Sequence, residues 1–314
     1  MTELGFALSS EDHRPNELVR QAALAEQAGF SFCVISDHYH PWTDAQGESP
    51  FVWSTLGAIA QATETIRVGT GVTCPLIRQH PGLVAQAAAT VAAMMPGRFF
   101  LGVGTGENLN EHVFGDRWPL PDERLEMLEE AVEVMRLLWQ GGEQTHRGRH
   151  YTVDHARVYT LPDEPVEVYV AASKPNAAEL AKKIGDGLIS TAPDGNLVKT
   201  FGANGKPRIG MMHCAYDRDA KKGLERATKL WPNLALEGPL GQELATPSDF
   251  EEAAAMVDEE DVSESTPHGP DPAPYLELIG KYADAGFTHV YVHQIGDNQE
   301  EFAEFAAREL MPQL

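Results

Sequence analysis

The alternation of short apolar runs with helix-patterned segments constrains this chain more than any motif does. Leu4–Leu8 is the first run and Phe32-Cys33-Val34-Ile35 the second. Between them Pro15 opens a segment carrying Leu18, Val19, Ala22, Ala23 and Ala25, and Gly29 ends it. Proline suits the first helical position, and glycine suits the left-handed residue past the last. Further strand-like runs follow at Ile66–Val72, Phe99–Gly104, Val166–Ala172, Gly187–Thr191, Arg208–Ala215 and His289–His293. Pro50–Thr63 and Leu83–Met95 read as helices, the latter stopped by Pro96-Gly97. A longer helix, from about Asp122 to Gln140, repeats Leu125, Leu128, Val132, Met135 and Trp139 at helical spacing. An alanine-rich helix opens at Asn176, and a last one runs from Glu300 to about Leu310. Eight strands alternating with helices predict an α/β fold of the (β/α)8 TIM-barrel type, with residues 1–314 as one domain. A doubly wound sheet is the rival. It needs fewer strands and a glycine-rich first turn, where this chain has Leu8-Ser9-Ser10-Glu11.

Three stretches interrupt the rhythm and read as insertions at the C-terminal face: 144–163, 192–207 and 231–274. The first resembles a hairpin, with Tyr151-Thr152-Val153 and Arg157-Val158-Tyr159 flanking Asp154-His155-Ala156. The second reads as a loop with Gly and Asn. The third is long, punctuated by proline and acidic; its run Glu251–Asp261 reads as a solvated helix face.

Charge narrows the partners. Lys and Arg total 24 against 47 for Asp and Glu, a net −23. Such a surface repels nucleic acid and anionic membrane, which leaves a small-molecule substrate. The start Met1-Thr2-Glu3-Leu4 carries no secretory pattern, and Cys33, Cys74 and Cys214 are odd in number and widely spaced. A cytoplasmic protein with reduced thiols is expected.

Chemistry gathers where the strands end. Ser36-Asp37-His38-Tyr39-His40-Pro41-Trp42 follows the second strand directly. Ligands bind at that end of a parallel barrel, and histidine is the side chain suited to moving a proton near neutral pH. Gly71-Val72-Thr73 follows the third strand, and Gly104-Thr105-Gly106-Glu107 the fourth. Glycines there permit close backbone approach, and Glu107 puts a carboxylate on the same face. Ala171-Ala172-Ser173-Lys174-Pro175 leads from the fifth strand into a helix, where free N–H groups and Lys174 suit a phosphate. His213 lies inside the seventh strand and reads first as a core residue.

Together these residues resemble the luciferase-like superfamily. The resemblance rests on Ser36-Asp37-His38 with Trp42, Gly104–Glu107, Ala171–Ser173, Gly185-Asp186-Gly187 and the ending His289–Gly296. Within it they are similar to deazaflavin (coenzyme F420)-dependent oxidoreductases of the F420-dependent glucose-6-phosphate dehydrogenase group. The resemblance implies hydride transfer between an alcohol or sugar carbinol carbon and C5 of the deazaflavin, in a homodimer. Asp37 would hydrogen-bond the ring, His38 would take the substrate hydroxyl proton, and Trp42 would line the site. Glu107 would serve N1 of the cofactor. Gly71–Val72 would form a cis peptide behind the ring. Thr73, Thr105, Gly106, Ala172, Ser173 and Lys174 would hold the rest of the cofactor.

The chain departs from that group where a substrate phosphate would be clamped. Two lysines and an arginine are replaced by Asp194, Gly241 and Ser265, so glucose 6-phosphate is not favoured; Lys199, Lys206 and Arg208 are the cations near enough in sequence to substitute. Two other enzyme readings compete. One is an FMN-dependent monooxygenase of the same superfamily. The other is a metal-dependent barrel hydrolase using His38 and His40, completed by His213, His268 or His293. A non-enzymatic cofactor carrier has no need of His38 and Glu107 together.

Overall fold

The computed structural model describes residues 2–202, 205–236, 238 and 240–314. Ala203 and Asn204 of the second insertion, and Glu237 and Pro239 of the third, lie outside the described residues.

Eight parallel strands close into a barrel. They are β1 (Glu3–Leu8), β2 (Phe32–Ile35), β3 (Arg67–Thr70), β4 (Phe99–Val103), β7 (Glu167–Ala171), β8 (Gly187–Ser190), β9 (Arg208–Cys214) and β10 (His289–Gln294), in the order β1-β10-β9-β8-β7-β4-β3-β2. The remaining strands, β5 (Gln144–Arg147) and β6 (Thr152–Ala156), pair antiparallel outside it. Successive side chains of a strand point to opposite faces. One set, including Ala7, Val34, Phe100, Tyr169, Ile209 and Tyr291, packs into an interior cluster. Phe100 and Tyr169 stack there at 4.8 Å. The other set, including Phe6, Cys33, Val68 and Val168, packs outward against helix residues such as Leu18, Leu56, Val84, Leu128 and Ile279 in the larger cluster. The barrel is therefore a filled core, and the site sits on top of it.

Helix starts follow the prolines. Pro15, Pro81, Pro121 and Pro175 each open a helix. Three of these starts were expected a residue or two later, at Leu83, about Asp122 and Asn176. Gly29 ends the first helix in the left-handed conformation and donates its N–H to the Ala25 and Glu26 carbonyls. Two helices without an obvious sequence signal, Ala220–Leu230 and Ala273–Ala285, flank the third insertion. Among the described residues no helix is long and apolar enough to cross a membrane.

The insertions differ from the simple reading. The hairpin is present but displaced: β5 pairs with β6, residues 157–159 are not strand, and the turn falls at 148–151. Glu130 fixes that turn by accepting from the N–H groups of Arg149, His150 and Tyr151. The second insertion holds a helix, Gly195–Phe201, capped by Asp194. The third holds short helical pieces at Pro232–Ala235, Pro247–Ala253 and Glu259–Ser263. The carboxylates of its acidic run are exposed, as expected of a solvated face.

Candidate active site

Beyond the strand ends the interior opens into a cleft of about 1020 Å³. Each expected site residue except Asp37 and Thr73 lines it. His38 and Trp42 come from the loop after β2, and Gly71 and Val72 from that after β3. Thr105, Gly106 and Glu107 follow β4, and Ala172, Ser173 and Lys174 follow β7.

The His38 ring has beside it a carboxylate that motif reading passed over. Its Nδ1 lies 3.4 Å from Glu11 Oε1 and 3.3 Å from the His40 carbonyl. Both partners are acceptors, so in the neutral ring Nδ1 carries the proton and Nε2 keeps its lone pair. Glu11 is buried, and its Oε2 accepts from Ser9 Oγ at 3.0 Å and Ser36 Oγ at 2.7 Å. Trp42 packs on His38 with ring centroids 5.0 Å apart. Phe250 of the third insertion backs Trp42 at 5.1 Å, and Gln46 ties this loop to the Leu230 carbonyl.

Asp37 lies behind the wall. Its Oδ2 accepts from Thr73 Oγ1 and Gln79 Nε2, both at 2.8 Å, and its Oδ1 from an Arg78 NH group at 3.0 Å. Arg78 also meets Glu111, at 3.4 Å from Nε and 2.8 Å from its backbone N–H. Burial pushes the Glu111 carboxyl above its ordinary range, against the pull of Arg78. Asp37, Arg78 and Glu111 therefore form a buried charged strut beneath the loops after β2, β3 and β4.

The wall formed by the loops after β3 and β4 is backbone-rich. The Gly71–Val72 peptide is cis. A Cβ at Gly71 would lie 2.2 Å from Val34 Cγ1, so no larger residue fits. Gly106 has φ +71, and a Cβ there would strike Cys74 Sγ at 2.5 Å. Glu107 stands half-buried at the start of a short helix, Asn108–Glu111, and accepts from Asn110 Nδ2 at 3.4 Å. Asn110 Oδ1 accepts from the N–H groups of Tyr39 and His40 at 2.8 and 3.2 Å. One asparagine thus locks the Glu107 loop to the His38 loop. After β7, Ser173 and Lys174 are exposed at the start of the helix Pro175–Ile184.

His213 is half-buried, not sealed in the core, and lines the cleft. It is level with His293 on the neighbouring strand, and their Nδ1 atoms lie 2.9 Å apart. Asp12 and Trp231 complete that corner. His268 instead directs Nδ1 to the Thr266 carbonyl, and His40 directs its own to the Leu109 carbonyl. Among the described residues no group of three His, Cys, Asp or Glu is arranged to hold a metal ion.

The positions expected to bear on a substrate phosphate divide. Gly241 and Ser265 line the cleft. Asp194 does not; its Oδ1 caps the helix of the second insertion by accepting from Asn196 N–H. Lys206 donates to the Gly185 carbonyl and Arg208 to the Gly286 carbonyl, both at the N-terminal end of the barrel, so neither substitutes for the missing cations. Lys199 does not line the cleft either. The cations that do are Arg124, Lys174 and Lys281; Arg124 is paired with Glu243 at 3.2 Å and Lys281 with Glu277 at 3.0 Å.

Glu11, Asp12, Arg78 and Asn110 were the residues missed. Position was the available signal for the first two: an acidic pair just past the first strand's end sits on the ligand-binding face. Nothing local marks Arg78 or Asn110, whose partners are 41 and 71 residues away.

The chain matches the family model of luciferase-like monooxygenases over residues 1–289. It is 37% identical to F420-dependent glucose-6-phosphate dehydrogenase of Beutenbergia cavernae, covering 100% of this chain and 98% of the relative. It is 36% identical to the enzyme of that name from Nocardia farcinica, covering 99% and 98%. Among solved structures it is similar to an F420-dependent secondary alcohol dehydrogenase in complex with an F420-acetone adduct. That likeness has a TM-score of 0.91 at 29% identity and covers 99% of this chain and 98% of the other. The chain therefore belongs to the luciferase-like family, as its strand-end residues predict.

Proposed function

We propose that the protein is an F420-dependent oxidoreductase that oxidises a secondary alcohol or sugar carbinol, with uncharged substrates preferred. The observation that carries this reading is the meeting of two walls in one cleft. On one, His38 presents an Nε2 that meets no partner among the described residues, with Glu11 behind Nδ1. On the other, the Gly71–Val72 peptide, Thr105 and Glu107 form a backbone-rich shelf. Val34 and Cys74 pack so closely on Gly71 and Gly106 that neither position can carry a side chain, and a flat ring would lie against the backbone of this shelf. Val72, Thr105 and Glu107 would hold that ring, and Ala172, Ser173 and Lys174 a phosphate. Coenzyme F420, when bound, supplies the C5 position that exchanges a hydride with the substrate carbon.

This chain's own residues do the rest. His38 Nε2 takes the hydroxyl proton as the carbinol carbon is oxidised, and Glu11 stabilises the imidazolium that forms. Trp42, backed by Phe250, covers His38 and limits its access to water. Glu107 places a carboxylate on the shelf, steadied by Asn110. Asp37 acts through Thr73, Gln79 and Arg78 as a positioning residue. A substrate phosphate needs convergent cations, and the cleft offers only Lys174 without an ion-pair partner among the described residues. Lys174 stands on the side that would hold the cofactor phosphate.

Two of the similar proteins act, by name, on glucose 6-phosphate and on secondary alcohols, and both reactions remove hydrogen from a carbinol. The test is a parallel fluorescence titration with F420, FMN, FAD and NADP, then a steady-state panel of alcohols, glucose and glucose 6-phosphate. F420 should bind and an uncharged alcohol should turn over. Binding of FMN without F420 would overturn the cofactor assignment, and efficient phosphate-dependent oxidation would overturn the substrate preference.

A further inference from the structure

We infer that His213 is a substrate-binding residue whose Nε2 accepts a hydrogen bond from a second hydroxyl of an uncharged diol or sugar. The inference deepens the reading of the cleft as an alcohol site and rests on it for the identity of the substrate.

The argument begins with strand register. His213 on β9 pairs with His293 on β10, one inward rung above Met211 and Tyr291. The two rings meet edge to face with centroids 5.1 Å apart and Nδ1 atoms at 2.9 Å. His293 is buried, and its Nε2 lies 3.2 Å from Asp12 Oδ2. Asp12 also accepts from Trp231 Nε1 at 2.9 Å and from Ser9 Oγ at 3.0 Å. The Trp231 ring lies 4.6 Å from His293 and 5.7 Å from His213, fixing both orientations.

Proton placement follows from this chain of contacts. An ionised carboxylate only accepts, so His293 Nε2 carries a proton. Neutral His293 then has an acceptor at Nδ1, so the proton between the two rings belongs to His213 Nδ1. Neutral His213 is left with a bare lone pair at Nε2. Burial, followed by the neighbouring His293, holds the His213 pKa well below its ordinary value and so keeps that ring neutral. A satisfied core histidine would have partners at both nitrogens. His213 Nε2 meets none among the described residues, and the ring lines the cleft. The atom is therefore an acceptor waiting for a donor. A hydroxyl supplies one; phosphate and carboxylate oxygens, which carry lone pairs, do not.

The His38 and His213 sites are held in one frame. Ser9 Oγ lies 3.0 Å from Glu11 Oε2 and 3.0 Å from Asp12 Oδ2. The carboxylate behind His38 and the carboxylate behind His293 thus share a single hydroxyl. Both rings line the same cleft, so with a reacting carbinol at His38 Nε2 a second hydroxyl of the substrate is the group that His213 would take.

The test has two arms. Long-range ¹H–¹⁵N correlation of the imidazoles in ¹⁵N-labelled, cofactor-free protein reads the tautomer, with His213→Phe or His213→Gln assigning the ring. The expected result is a neutral Nδ1–H ring whose Nε2 resonance moves on adding glycerol and stays still on adding 2-propanol. An Nε2–H tautomer, or equal responses to the two alcohols, overturns the inference. In the kinetic arm, kcat/KM is measured for 1,2-propanediol and 2-propanol with F420. The diol-to-monool ratio should fall roughly ten-fold in His213→Phe and His213→Gln, about what one neutral hydrogen bond supplies. An unchanged ratio overturns it, and equal loss on both alcohols marks a merely structural role. If no alcohol turns over, the functional reading fails, while the spectroscopic arm still decides the role of His213.

Discussion

Replacing Asp37 with alanine separates a structural role from direct ligation of a cofactor. In the cofactor-free protein its carboxylate takes three donors, Thr73 Oγ1, Gln79 Nε2 and an Arg78 NH group, and it is 3% exposed. Removing it strands two neutral donors and leaves the Arg78 guanidinium with Glu111, across 3.4 Å, and the backbone carbonyl of residue 37, at 3.1 Å. Breaking a buried ion pair by deleting one partner typically costs about 3–5 kcal/mol. Glu111 retains part of the pairing, which argues for the lower end. The stranded Thr73 and Gln79 donors each add about 1 kcal/mol or more unless water enters. We expect a total of about 3–5 kcal/mol, a large share of the roughly 5–15 kcal/mol that holds a typical domain together. Urea unfolding without cofactor measures it as a fall in midpoint. Asp37→Ala/Arg78→Leu should lose less than the two single changes summed, because neither charge is then left alone. A single variant within about 1 kcal/mol of wild type, with F420 binding abolished, would refute this reasoning and make Asp37 a direct ligand.

His38→Ala should keep F420 binding and lose a factor of about 10²–10⁴ in kcat, the usual share of a general base; near-normal turnover in a folded variant would exclude that role. Glu26 gives a pH-dependent check on the fold. Burial would raise its carboxyl, but the N–H groups of Thr65, Ile66 and Glu64 and the Thr65 hydroxyl outweigh that and hold it at about 2, below its ordinary 4.5. Its contribution is present above pH 4.5 and fades as pH falls toward 2. Glu26→Gln should therefore be about 1–2 kcal/mol less stable at pH 7 and match wild type in strong acid, read by urea midpoints across pH. His213 runs the other way. Below about pH 6.5 the unfolded chain binds a proton that the folded ring refuses, so wild type loses stability there by up to about 1.4 kcal/mol per pH unit. His213→Phe should flatten that slope; an unaltered slope would mean the ring is protonated in the folded protein.

The barrel was legible because its signal is local. Phe32–Ile35 is a strand at the expected bounds, and the other strands differ from expectation by one or two residues at their ends. The hairpin failed for the opposite reason. Arg157-Val158-Tyr159 has strand composition, yet the turn lies at 148–151 because Glu130, on the helix Pro121–Leu138, gathers the N–H groups of residues 149–151. A helix carboxylate twenty residues upstream set the register, and no period within the hairpin encodes that. The helix Gly195–Phe201 was hidden by glycine and asparagine at its start, where Asp194 supplies the cap.

The candidate site was legible at the strand ends and opaque one layer behind them. His38, Trp42 and Glu107 stand out because reactive side chains just past strands are unusual. The groups that orient them are ordinary by composition: Ser9, Glu11, Asp12 and Asn110 look like turn residues until closure of the barrel brings β1 beside both β2 and β10. That closure makes the loop after β1 a hub. Glu11 reaches His38 beyond β2, and Asp12 reaches His293 on β10. The shelf comes from the ends of β3 and β4, and the phosphate-suited turn from the end of β7, on the arc of the barrel away from β1 and β10. In the proposed reading the proton-handling residues thus come from the ends of β1, β2 and β10, and the ring-holding ones from β3, β4 and β7. Specificity is left to the insertions, which supply Phe250 behind Trp42 and Trp231 against His213 and His293. A phosphate clamp would also have to come from them, and here they bring Gly241 and Ser265 to the cleft. In the proposed reading, changing the substrate is thus a matter of insertion chemistry, while the hub after β1 must stay as it is for either imidazole to work.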